Sequence, residues 1–146
     1  MAKSNSAQAG WLALLFQASG YSKVADNAGT TPLTNLYISL HTADPGAGGD
    51  QTTHEAAYGG YARVAVVRSS VGWTISGTSP TQVTNAGLVS FPKATSGSET
   101  ETYFAVGEQT SGAGRIFYSA ALGSSLTVGQ YVQPQFAAGT LVITES

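Results

Sequence analysis

Short apolar runs separated by turn chemistry dominate the chain after residue 60, and that spacing limits what it can fold into more than any other feature. Breaks fall at Gly72, Gly77-Thr78-Ser79-Pro80, Ser96-Gly97-Ser98, Ser111-Gly112-Ala113-Gly114 and Ala138-Gly139. These residue types reach positive φ, fix φ, or bond their own backbone, so they turn the chain for identifiable reasons. Strand-like runs lie between them: Tyr61 to Arg68, Trp73 to Ser76, Gly87 to Phe91, Thr100 to Gly107, Arg115 to Ala121, Leu126 to Val128, Tyr131 to Phe136 and Thr140 to Thr144. An earlier run, Leu36-Tyr37-Ile38-Ser39-Leu40, places large apolar residues at every second position, the period of a strand with one buried face. Many short strands with regular turns, and no alternation with long helices, predict a mainly β fold. The expected form is an antiparallel β-sandwich, jelly-roll-like, rather than a parallel α/β sheet. Pro134, inside one run, predicts an edge or a bulge there.

Residues 1–20 form the exception, an N-terminal helical segment. From Ser6 to Ala18, the residues Ala7, Trp11, Leu14, Leu15 and Ala18 recur at spacings of three and four, which predicts one α-helix. Ser4, Asn5 or Ser6 can cap its start, and Ser19-Gly20 can end it. Leu12 and Phe16 widen the apolar arc, so this helix must be covered on more than one side. Tyr21 to Asn35 reads as irregular, and residues 43–60 as a long Gly-rich loop opened by the turn Asp44-Pro45-Gly46. At 146 residues without an internal repeat, a single β-sandwich domain over 1–146 is expected.

Composition narrows the function classes. Charged residues make up 10% of the chain, where an average domain carries about 25%. Small polar residues take their place: 17 Ser, 17 Thr and 18 Gly. A surface so nearly neutral suits a protein packed against copies of itself or against partners. A net charge of −2, with six scattered Lys and Arg, gives no basic stripe, so no nucleic-acid partner is expected. Trp11 to Phe16 is too short to span a bilayer and lacks a basic lead-in and a cleavage motif, so neither a membrane helix nor a signal peptide is expected. With no cysteine, the redox compartment stays open.

Catalytic patterns are sparse. His41 and His54 flank the long loop beside Asp44, Asp50 and Glu55, yet their spacing matches no metal-ligand pattern. Turn aspartates and surface histidines account for the same residues. No Gly-x-Ser-x-Gly elbow, Gly-Lys-Ser/Thr loop or cysteine nucleophile occurs. Glu99 and Glu101 can share one face of a strand, as glycosidase pairs must, or simply share a solvent face. The chain therefore reads as a non-enzyme with no cofactor and no metal. As contact residues, the helix offers Trp11, Leu12, Leu15 and Phe16, whose alternative is packing on the sandwich. The long loop offers Tyr58 and Tyr61, whose alternative is core packing, and Arg63 and Arg68 could pair with a partner's carboxylates or stay solvated. Trp73 is assigned to the core.

The run from Leu36 to Gly46, followed by Gln51-Thr52, Glu55, Tyr58 and Gly60-Tyr61-Ala62-Arg63-Val64, is similar to small virion proteins of tailed phages that are often labelled tail-fibre-like. It also resembles the capsid cement or decoration proteins of short-tailed phages. Ser111 to Ile116 and Pro134 to Leu141 extend the likeness. The resemblance implies a jelly-roll-like sandwich on the outer capsid surface of the virion. There it would bridge subunits of the major capsid protein as a small homo-oligomer, a dimer or trimer. A tail-fibre or tail-associated module binding a receptor or glycan is the alternative. No catalytic residues come with the resemblance.

Overall fold

The computed structural model describes residues 5–20, 32–78 and 80–145. The irregular stretch expected from Tyr21 to Asn35 lies mostly outside them. Among the described residues one helix, α1 (Asn5–Phe16), precedes nine strands: β1 (Asn35–His41), β2 (Val64–Val67), β3 (Trp73–Ser76), β4 (Thr81–Asn85), β5 (Val89–Ser90), β6 (Ser98–Gly107), β7 (Ile116–Gly129), β8 (Gln135–Phe136) and β9 (Val142–Glu145). They form a four-stranded sheet in the order β2-β1-β6-β7, a three-stranded sheet β3-β4-β9 and the pair β5-β8. Every strand pairing is antiparallel. The chain is thus mainly β with an N-terminal helix, as the turn spacing predicts.

One cluster of buried apolar side chains draws on the helix and all three sheets. Period-two alternation in β1 sends Leu36, Ile38 and Leu40 into it, and the register sets Ile38 opposite Val106 and Leu40 opposite Phe104 of β6. From the three-stranded sheet, Val83 of β4 lies opposite Ile75 of β3 and Ile143 of β9. Leu12 and Phe16 of α1 are both fully buried, and Phe16 meets Trp73 edge to face with ring centroids 4.7 Å apart. The helix ends where Ala18 takes a φ of 55° and the Ser19 amide reaches back to the Ala13 carbonyl. There Arg68 donates to the free carbonyls of Leu14 and Leu15 and, at 3.2 Å, to that of Leu33, a cation at the negative end of the helix.

Four expectations need correction. β4 falls in a stretch without a predicted strand, because two of its inward positions are the buried polar residues Thr81 and Asn85. Asn85 makes that placement tolerable. Its amide nitrogen donates to the carbonyls of Gly87 (2.7 Å) and Ala137 (2.9 Å), and its oxygen accepts from the Leu141 amide at 3.0 Å. The two runs Arg115 to Ala121 and Leu126 to Val128 are one strand of 14 residues, whose Gly123-Ser124-Ser125 stays extended while the β6 pairing skips between Glu101 and Tyr103. The strand at Tyr61 to Arg68 contracts to Val64–Val67, because Arg63 is drawn away into a buried ion pair. Similarly, Tyr131 to Phe136 contracts to Gln135–Phe136, with Tyr131 in a turn and Pro134 just ahead of the short strand.

Candidate functional site

Residues 43–60 are far from slack despite their glycines. Their second half pairs with the end of β1, where the Ala56 amide donates to the Leu40 carbonyl and the Thr42 amide to that of His54 (2.9 Å each), and Ala56 and Tyr58 join the apolar cluster. Gln51, fully buried, is the central anchor: its backbone N–H donates to the Gly114 carbonyl (2.9 Å), and its side-chain Oε1 accepts from the Gln109 backbone N–H (2.9 Å). A Cβ at Gly107 or Gly114 would come within 2.3 Å of that Gln51 side chain, so both glycines are required by close packing. The Arg63 fork completes the attachment. Its Nε and Nη2 donate to the two Glu55 oxygens at 2.6 and 2.8 Å, and its remaining donors reach the carbonyls of Gln109 (3.0 Å) and Gly112 (2.8 Å). Tyr61 donates from its hydroxyl to Glu55 Oε1 (3.0 Å) and accepts from the Leu40 amide (3.2 Å).

The histidine cluster dissolves on inspection of its partners. His41 is fully buried rather than on the surface, and burial lowers its pKa, so the ring is neutral at pH 7. A carbonyl can only accept, so Nδ1 carries the proton and donates to Thr53 O (2.8 Å), while Nε2 accepts from the Ser39 hydroxyl (2.8 Å). Serine bonded to histidine is the geometry of an activated nucleophile. Ser39, however, is wholly enclosed, and no substrate can reach it. His54 is exposed, Asp44 closes the Gly46 turn at 2.9 Å, and Asp50 holds the Thr52 amide and hydroxyl. Among the described residues no group of three or more His, Cys, Asp or Glu could hold a metal ion.

Of the contact residues expected on the helix, Leu12, Leu15 and Phe16 are committed to the core, and Trp11 alone is exposed, at 44%. Its indole nitrogen donates to the Tyr118 hydroxyl (2.9 Å), which in turn donates to Glu145 Oε2 (2.5 Å). Tyr58 is buried, with its hydroxyl on the Pro92 carbonyl at 3.1 Å and its ring edge to face with Tyr61 at 5.3 Å. Arg63 and Arg68 spend their donors inside the molecule, as described above. The residues singled out in the sequence therefore do not converge on one surface.

Glu99 and Glu101 do share a face of β6, but an inward one. Glu99 Oε1 accepts from the amides of Ala57 and Tyr58 at 2.8 and 2.9 Å, tying down the end of the long loop. Glu101 is 0% exposed. Glu99 is its neighbour on this face, and neither Glu101 oxygen has a well-formed hydrogen-bond partner. Burial first, and then the neighbouring Glu99, push the Glu101 pKa up to about 8. Because the folded protein holds this proton more tightly than the unfolded chain, stability is greatest below about pH 4.5 as far as this group is concerned and is lost as pH rises towards 8. Thermal melts from pH 5 to 9 should therefore show a loss of about 3 kcal/mol that Glu101→Gln abolishes. Parallel profiles for the two proteins would contradict this assignment.

The described residues thus form an antiparallel β module whose polar clusters lie mostly inside the molecule. Exposed apolar side chains gather at the free edge of the four-stranded sheet, where Val67 is 43%, Val71 79% and Leu88 63% exposed. The sequence model of a family described as podophage GP4 fiber I protein gp80 matches residues 6–144. The chain belongs to that family and is a phage virion structural protein of the fibre type. No curated protein matches it.

Proposed function

We propose that the chain is a tail-fibre component that helps attach the particle to its host by binding alone, without catalysis. Membership of a fibre family over nearly the whole chain carries this proposal. Its physical support is the sparsely charged surface, which desolvates at low cost against a partner. The second possibility, a cement bridging major capsid subunits as a dimer or trimer, draws on the same neutral surface and on the run from Leu36 to Val64. Symmetric repetition of a modest interface is what that role would require.

The two differ in position on the particle. Cryo-electron images of virions labelled with an antibody to this chain should show label at the tail. Label distributed over the capsid faces would overturn the tail placement and favour the cement.

A further inference from the structure

Tyr131 stands in a conformation that tyrosine rarely adopts. Its φ is 70°, at the third position of a turn closed by the Val132 amide on the Gly129 carbonyl (3.0 Å). Glycine or asparagine fills such a position with least strain. The ring contributes little to the fold, being 70% exposed. Backbone strain retained beneath an exposed aromatic points to a function for the side chain rather than for the fold.

Lys93 supplies a second, independent observation. Its ammonium lies 5.6 Å from the Tyr131 ring centroid. The other described cations are all otherwise engaged: Arg63 with Glu55, Arg115 with Glu108, and Arg68 with backbone carbonyls. Among the described residues, Lys93 is the cation whose contact is an aromatic ring alone. The surroundings are polar. Gln130 donates its amide to the Thr95 carbonyl (3.1 Å), which fixes the side chain with its oxygen available as an acceptor, and Thr95 and Ser96 are exposed.

We infer that Tyr131, Lys93 and Gln130 form a binding patch for an acidic saccharide. A pyranose ring would lay its C–H face on Tyr131, its carboxylate would take Lys93, and a hydroxyl would donate to the Gln130 oxygen. A hydroxyl-rich ligand matches these exposed polar neighbours. The inference rests on the host-attachment proposal and names its ligand class.

Affinity electrophoresis of the full chain through gels containing alginate, hyaluronan or neutral dextran tests it. The two acidic polymers should retard the protein and dextran should not. Tyr131→Gly should weaken retardation roughly three- to tenfold, and Lys93→Ala should remove the preference for the acidic polymers. Because glycine relieves the strained φ, Tyr131→Gly should leave Tm no lower and up to about 3 °C higher. Absence of retardation, equal retardation by dextran, or a Tyr131→Gly protein that binds as before would overturn the patch. So would binding lost together with a lowered Tm, which marks a structural residue. Adsorption to host cells separates the two levels: cells bound equally by wild type and Tyr131→Gly leave attachment standing without this patch. A wild-type chain that binds no cells removes the attachment proposal itself.

Discussion

Arg63→Met is expected to destabilise the protein by about 3–5 kcal/mol, the usual effect of removing one member of a buried ion pair. The guanidinium has an exposed fraction of only 2% in its side chain, and it satisfies both Glu55 oxygens together with the carbonyls of Gln109 and Gly112. Methionine would fill much of the volume while leaving the Glu55 carboxylate with the Tyr61 hydroxyl in place of the guanidinium and taking a donor from the carbonyls of Gln109 and Gly112. Lysine cannot substitute, since a single ammonium cannot reproduce the two-pronged contact. Urea denaturation should show the loss, and Glu55→Gln combined with Arg63→Met should cost clearly less than the sum of the two single changes. Additive effects, or a single-change loss below about 1 kcal/mol, would mean that the pair does not hold the loop.

Phe16→Ala should be comparably severe, at about 3–5 kcal/mol, through lost burial and the cavity left behind. Phe16 is fully enclosed, edge to face with Trp73 and 6.0 Å from the Tyr118 ring centroid. Trp11→Ala, on the exposed flank of the same helix, should cost about 1 kcal/mol, the loss of one hydrogen bond and partial packing. Denaturant melts of the two variants thus separate the core-facing and outward sides of α1. A mild Phe16→Ala phenotype accompanied by loss of attachment to the particle would reverse that division.

Strands whose inward residues are apolar were readable from the sequence; those built from polar residues were not. Leu36, Ile38 and Leu40 announce β1 because each inward position is a large aliphatic residue. β4 hides because Thr81 and Asn85 carry its inward face beside the single apolar Val83, and the bonds that satisfy Asn85 come from residues as far away as Ala137 and Leu141. Gly123-Ser124-Ser125 has turn composition yet continues β7, since pairing with β6 on either side overrides local preference. The same limit governed the polar sites. Nothing local states that Glu55 and Arg63 meet, that Gln51 covers Gly107, or that Lys93 lies over a tyrosine 38 positions later, because these contacts are made by the path of the loops. The apolar character of the helix was legible, but periodicity alone left open whether Leu12, Leu15 and Phe16 faced this molecule or another.

The series Trp11 to Tyr118 to Glu145 joins the helix, β7 and β9 through two hydrogen bonds. In mechanical terms it is a brace in parallel with the core. Tension between α1 and β9 would load these two bonds together with the β4–β9 ladder. A fibre component under tension would thereby owe part of its resistance to force, as distinct from its equilibrium stability, to the hydroxyl of Tyr118.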